Sequence, residues 1–267
     1  MNKKIGFIGA GKMAQAMLEG IVKSELILRE NIMASSATKN TIDKIAGNYG
    51  IKTSLHNIDV AVFADILFLA VKPEHHLLVI EEIKQEIKPN TIIVTIAAGI
   101  SLMDLERAFG QKVKAVRTMP NTPSFVGEGM SVICPNEHLT EEELIEVEHL
   151  FQTFGKTERL EENLMDAVPA ISGSSPAYIY MLIEAMADGG VRQGIPRDKS
   201  YRLAAQAVLG AAKMVLDTGI HPGELKDNVC TPGGATIEAV AALEKKQFRG
   251  AIMSAMDSCT NKVKMLR

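Results

Sequence analysis

A glycine-rich turn near the start constrains the fold of this chain more than any other feature. The apolar run Ile5–Ile8 leads into Gly9-Ala10-Gly11-Lys12-Met13-Ala14, and a helical apolar pattern over Lys12–Lys23 follows at once. In this G-x-G-x-x-A pattern the first glycine permits a tight strand-to-helix turn. The second lets the backbone approach a pyrophosphate, and the small third residue lets helix and strand pack closely. The helix N-terminus then offers N–H groups and a partial positive charge to phosphates. The turn lies between a strand and a helix, so it reads as a dinucleotide-binding turn; a merely structural tight turn is the alternative.

The following residues repeat the theme. Short runs rich in Ile, Val and Phe occur at 32–34, 66–71, 91–96, 113–116 and 131–134, with helical patterns at 41–49, 74–87 and 102–109. Thr140 and Glu143 form a T-x-x-E capping box that opens another helix. Strand–helix–strand repetition with continuous apolar strands predicts a doubly wound, mainly parallel sheet with helices on both faces. After about residue 160 the strand signal stops. Ser174-Ser175-Pro176 opens a helix to Gly189 or Gly190, Pro196 opens another to Gly219, and further helices fit 234–245 and 248–264. These helices are rich in Ala, Met and Leu nearly all round, which requires burial. So few helices cannot bury such faces alone. The expected architecture is α/β: a Rossmann-type NAD(P)-binding domain over residues 1–160, then an all-helical dimerisation domain over 161–267.

Composition excludes several classes. A net charge of −3 argues against nucleic-acid or anionic-membrane partners held by bulk charge. Hydrophobic content of 46% with 23% charged residues fits a folded globule. Cys134, Cys230 and Cys259 are too scattered for a disulfide framework or a CxxC metal site. The run 5–10 after Lys3 and Lys4 is too short and glycine-broken for a signal peptide, and no run approaches the ~18 apolar residues that span a bilayer. A cytoplasmic protein is expected.

Four further segments can carry chemistry. After the second strand comes Ser35-Ser36-Ala37-Thr38-Lys39, where NAD-selective sites place an acid for the ribose 2′-hydroxyl. The first acid here is Asp43, inside a helix, so the hydroxyls and Lys39 favour the 2′-phosphate of NADP(H). The same serines also fit a polar turn and helix cap. Ala70-Val71-Lys72-Pro73 follows an apolar strand and suits cofactor contact, or simply starts a helix. Arg117-Thr118-Met119-Pro120-Asn121-Thr122-Pro123 is a proline-stiffened loop after a strand, equally a site wall or a surface turn. Thr231-Pro232-Gly233-Gly234-Ala235-Thr236 precedes a helix and can hold a carboxylate on the amides of Gly234, Ala235 and Thr236; an ordinary N-cap turn is the alternative.

Absences narrow the chemistry. The six histidines show no metal-ligand spacing, and His75-His76 reads as a solvated pair on a surface helix. There is no GxSxG elbow. No lysine occurs between Lys156 and Lys199, whereas hydroxy-acid dehydrogenases of this two-domain shape take the hydroxyl proton with a lysine on the first long helix after the sheet. Reduction of an imine needs no such base, since the nitrogen can enter protonated.

Taken together, GAGKMA, the serines after the second strand, LAVKP, RTMPNTP and KDNVCTPGGATIEAV closely resemble the pyrroline-5-carboxylate reductase family, over essentially the whole chain. The resemblance implies NAD(P)H-dependent reduction of 1-pyrroline-5-carboxylate to L-proline, the last step of proline biosynthesis, in active sites formed between two subunits. By matching positions it places Gly9, Gly11, Lys12 and Met13 at the pyrophosphate and Ser35 and Ser36 near the adenosine ribose or its phosphate. Asn57, Ala70 and Lys72 would lie along the cofactor, and Met119, Pro120 and Asn121 at its nicotinamide end. Thr231, Gly234, Ala235 and Thr236 would bind the substrate carboxylate, with Thr236 also at the ring nitrogen as the catalytic residue. Cys230 stands where the family has Ser or Thr. Assemblies from dimers to decamers built of dimers are implied. The rival readings are a β-hydroxyacid dehydrogenase, a reductase of another cyclic imine, or a non-catalytic nucleotide sensor; the missing lysine opposes the first, and the intact TPGGAT loop the last.

Overall fold

The computed structural model describes residues 1–265. In chain order its first part runs β1 (Ile5–Ile8), α1 (Lys12–Ser24), β2 (Ile32–Ser35), α2 (Lys39–Tyr49), β3 (Lys52–Ser54), α3 (Asn57–Phe63), β4 (Ile66–Leu69), α4 (His76–Ile83), β5 (Ile92–Thr95), α5 (Leu102–Phe109), β6 (Lys114–Met119), β7 (Gly129–Pro135), α6 (Glu141–Gln152) and β8 (Gly155–Arg159). The strands form one sheet in the order β3-β2-β1-β4-β5-β6-β7-β8. The first six in that order run parallel, and β7 is antiparallel to β6. The sheet is doubly wound, and its strand order reverses direction between β1 and β4. In such sheets ligands bind outside the carboxyl ends of the strands at this switch point.

Strands β1, β4 and β5 are buried along their whole length, because helices cover both faces. One face packs Met17, Leu18 and Ile21 of α1 and Val147, Leu150 and Phe151 of α6 against Phe7 and Phe68, whose rings stack at 4.6 Å. The other packs α3, α4 and α5 through Val60, Ile80, Ile83 and Leu105. The capping box at Thr140–Glu143 forms as expected at the start of α6. A second box, Ser101 with Asp104, starts α5.

Several expectations are corrected. The segment 74–87 is not one helix: Pro73–His75 is a 3-10 turn and α4 stops at Ile83. Residues Arg117–Met119 are not loop but the last part of β6. Strands β3 and β8 and helix α3 were not expected. Both strands are polar, lie at the sheet edges and bury none of their residues fully, so they carry no hydrophobic signature.

The chain divides into two compact units, Met1–Ser174 with the chain from Cys259 onward, and Ser175–Ser258. The first compact unit thus includes residues 161–174. Met165 and Val168 are buried in the core formed with α3–α5, which holds that segment to the sheet. The second unit contains α7 (Ser175–Arg192), α8 (Arg197–Thr218), α9 (Pro222–Val229), α10 (Ala235–Lys245) and most of α11 (Phe248–Lys264). Helices α7 and α8 pack as a hairpin around Ala187, Ser200 and Ala204. Tyr180, Met181, Leu203, Leu209 and Leu216 stand exposed in the single chain. Each such side chain gains roughly 1.5–3 kcal/mol on full burial, and an apolar surface of this extent marks an interface. No helix among the described residues is long and apolar enough to cross a membrane.

Candidate active site

The turn after β1 lies at the switch point and is held from both sides. The Gly9 amide donates to the Ser35 carbonyl at 3.1 Å, and the Ala70 amide donates to the Ile8 carbonyl at 2.8 Å. Gly9 has φ +97°, and a Cβ there would lie 2.6 Å from the Ala70 carbonyl oxygen. Only glycine fits both the dihedral and the space. Gly11 differs. Its φ of −69° and ψ of −179° suit any residue, and a Cβ there would meet no protein atom within 4 Å. Nothing in the protein fold demands glycine at this position; the cradle it leaves open faces the start of α1. That helix has no side-chain cap and no acid in its first turn, so its first amides and dipole remain directed at an incoming anion. Ala14 is buried, as the third small residue of the fingerprint should be. Lys12 is exposed and Met13 half-buried at the helix start. This geometry fits a pyrophosphate.

At the end of β2 the two serines separate. Ser35 is fully buried and its hydroxyl donates to Asn57 Oδ1 at 2.8 Å; Asn57 Nδ2 in turn donates to Glu82 Oε2 at 2.8 Å. The structure therefore gives the Ser35 hydroxyl to Asn57 instead of to solvent. Ser36 is half-buried, and Thr38 caps α2 with Lys39 exposed beside it. The polar-cap reading and the open polar edge thus coexist in one segment.

Lys72 is exposed at the turn after β4, and Ala70 is half-buried beneath it. His75 is exposed, but His76 is not the solvated residue expected: it is 1% exposed. Its Nδ1 lies 3.2 Å from the Lys72 carbonyl oxygen and its Nε2 3.0 Å from Thr95 Oγ1. Burial holds the imidazole below its ordinary pKa, partly offset by the bond to the Lys72 carbonyl.

Met119, Pro120 and Asn121, at the end of β6, are all buried. The Asn121 side chain is held at both ends: Nδ2 donates to the Ser172 carbonyl at 2.9 Å, and Oδ1 accepts from the Met130 amide at 2.9 Å. Its amide ties the segment after β6 to Ser172 and to the start of β7 instead of facing outward. Arg117, two residues before Met119, carries the largest fully buried side chain and pairs with Asp166, Nη2 to Oδ1, at 2.6 Å. Its Nη1 lies 3.6 Å from Glu162, whose Oε1 also accepts from the Leu102 amide at the start of α5. The spacing of these residues, 49 and 45 positions, leaves no sequence signal.

The second loop lies in the second unit. Gly234 caps α10 in extended conformation, and a Cβ on it would lie 2.3 Å from Thr231 Oγ1. Its amide already donates to the Thr231 carbonyl at 3.0 Å. Of the three amides expected to take a carboxylate, this one is thus bound within the turn, and Ala235 and Thr236 remain at the helix start. Thr236 is half-buried and Ala235 exposed; α10 has no side-chain cap.

A doubly wound sheet with an anion cradle at its switch point, joined to a helical unit with uncovered apolar faces, defines a dinucleotide-dependent oxidoreductase that assembles through its helical part. Residues 162–266 match the family model described as pyrroline-5-carboxylate reductase dimerisation, and residues 4–99 match NADP oxidoreductase, coenzyme F420-dependent. The chain is 46% identical to the pyrroline-5-carboxylate reductase of Escherichia coli (strain K12) over 266 residues, covering 100% of this chain and 99% of that one. It is 43% identical to that of Methanosarcina acetivorans over 265 residues, covering 99% and 98%. The solved structure of Plasmodium falciparum pyrroline carboxylate reductase with NADP bound superposes with a TM-score of 0.90 at 33% identity, covering 99% of this chain and 98% of that one. The chain belongs to the pyrroline-5-carboxylate reductase family.

Proposed function

We propose that this protein reduces the C=N bond of 1-pyrroline-5-carboxylate to give L-proline, with NADPH preferred over NADH, in a homo-oligomer whose basic unit is a dimer and which can build up to a decamer. The observation that carries the reading is family membership along the whole chain, with both glycine loops present. When bound, the dihydronicotinamide supplies a hydride from C4 to the imine carbon. The chain's own residues bind and orient. The α1 N-terminus at Gly9, Gly11, Lys12 and Met13 holds the pyrophosphate, and Asn57, Ala70 and Lys72 line the rest of the cofactor. Met119, Pro120 and Asn121 wall its nicotinamide end. Thr231 and Gly234 shape the turn that holds the substrate carboxylate, the amides of Ala235 and Thr236 receive it, and the Thr236 hydroxyl orients the ring nitrogen. An imine that enters protonated becomes a neutral amine on accepting hydride, so no side chain has to remove a proton; α7 carries no lysine. Holding donor and acceptor carbons in register supplies the remaining catalysis.

Thr236→Ala tests the second loop. Loss of a hydrogen bond to a charged nitrogen costs about 1.5–3 kcal/mol, so kcat/KM for the imine should fall on the order of 10- to 100-fold while the Kd for NADPH stays constant. Unchanged imine kinetics would remove Thr236 from the site. The cofactor preference is carried by the absence of an acid after β2. Ser36→Asp should raise the KM for NADPH about tenfold or more and improve use of NADH, because a carboxylate there repels the 2′-phosphate and accepts from the 2′-hydroxyl. Steady-state kinetics with both cofactors measure this, and an unaltered NADPH/NADH ratio would refute it.

A further inference from the structure

Beneath the open edge of the sheet runs one chain of buried hydrogen bonds that the reaction chemistry above does not use. The Lys72 carbonyl can only accept, so His76 Nδ1 carries the proton and donates to it at 3.2 Å. Burial favours the neutral ring, in which Nε2 is then an acceptor and the Thr95 hydroxyl donates to it at 3.0 Å. Thr95 Oγ1 in turn accepts from the Ala97 amide at 3.3 Å, and the Thr95 carbonyl accepts from the Thr118 hydroxyl at 2.9 Å. His76, Thr95 and Thr118 are each 1% exposed or less. The chain links the turn after β4, the carboxyl end of β5 and the turn that follows it, and the carboxyl end of β6, directly ahead of Met119–Asn121. These are three adjacent strands on the edge where a dinucleotide lies.

We infer that His76 is a positioning residue for the cofactor: as a neutral imidazole with its proton on Nδ1, it fixes the turns after β4 and β5 in the spacing that the nicotinamide half of the dinucleotide requires. The inference rests on the cofactor reading given above. A buried imidazole has no helix-forming or packing advantage here over an apolar residue of its size. Its value lies in satisfying one carbonyl and one hydroxyl that burial would otherwise leave unpaired. Because each bond in the chain orients the next, loss of any member loosens the same two turns. The turns carry Ala70, Lys72 and Ala97, whereas the carboxylate loop is a separate segment of the second unit. The effect therefore falls on cofactor affinity and not on the imine.

The test is a fluorescence titration of the full-length protein with NADPH, together with KM values for cofactor and imine and a melting temperature for each variant. His76→Leu should raise the Kd and KM for NADPH about tenfold, with the imine KM at saturating NADPH unchanged. His76→Asn can still donate from Nδ2 to the Lys72 carbonyl and should recover most of the loss. Thr95→Val, nearly isosteric, should reproduce the His76→Leu defect from the neighbouring strand. The double variant should be no worse than the worse single one, because both break one chain. Should His76→Leu fail to fold, His76→Asn and Thr95→Val still decide the matter by the same titration. Wild-type affinity in His76→Leu and Thr95→Val, no rescue by His76→Asn, or multiplying effects in the double variant would overturn the proposal. A wild type that binds neither NADPH nor NADH would instead remove the cofactor reading, and this inference with it.

Discussion

Gly11→Ala should fold like the wild type and bind NADPH on the order of 10- to 100-fold more weakly. The two glycines of the first turn separate a requirement of the fold from a requirement of the ligand. A methyl on Gly9 would sit 2.6 Å from the Ala70 carbonyl oxygen at φ +97°, so Gly9→Ala strains the protein whether or not cofactor is present. A methyl on Gly11 meets no protein atom within 4 Å, and its backbone is extended. The position is the N-cap of α1, where replacing glycine by alanine costs at most about 1 kcal/mol. The methyl would instead occupy the space through which a pyrophosphate approaches the helix amides. Crowding of that kind costs about 1–3 kcal/mol, which becomes the stated loss of affinity. A titration with NADPH and a thermal melt of the same sample measure both halves. A melting temperature that falls as far as that of Gly9→Ala, or an unchanged Kd, would contradict this account of the loop.

Arg117→Met should lower the melting temperature by on the order of 10 °C. The guanidinium is fully buried, and the Asp166 side chain it meets is 11% exposed. Removing one partner of a buried pair leaves the other charge desolvated and costs about 3–5 kcal/mol; for a chain of this size each kcal/mol shifts the midpoint by about 2–4 °C. Glu162 worsens the imbalance, because it also stands at Arg117 and would face Asp166 with no cation between them. Arg117→Met with Asp166→Asn removes both charges and should recover part of the loss. Melts at one fixed protein concentration make the comparison, since assembly also contributes to stability. A single-variant shift under 2 °C would mean the pair does not hold the 162–166 segment to the sheet.

The fold was most legible where local chemistry repeats a structural period. Helix α5, Leu102–Phe109, shows an apolar stripe, and the sequence boundaries coincide with the observed ones. The Thr140–Glu143 box and the Gly9–Ala14 turn are equally local signals. Strands β3 and β8 were invisible because edge strands here carry Lys, Thr, Glu and Arg with little burial. Helix α9, also unexpected, has only Leu225 and Val229 as large apolar residues, too few to show a period. The candidate site was legible only as a list of segments. What its side chains do depends on partners far along the chain: Asn121 on Ser172, Ser35 on Asn57, His76 on Thr95. No spacing in the sequence reports those bonds, because the sheet order brings them together.

Hydride transfer from a reduced nicotinamide to one cyclic imine is tested most directly by following absorbance at ~340 nm, the reduced-nicotinamide band that hydride donation erases. The purified protein is mixed with NADPH and 1-pyrroline-5-carboxylate, and proline is quantified in the same vessel. Absorbance should fall only when protein and imine are both present, one proline should appear for each NADPH consumed, and no other ring imine should be turned over faster. Stable absorbance with this imine, or a faster reaction with a different one, would contradict the proposed function.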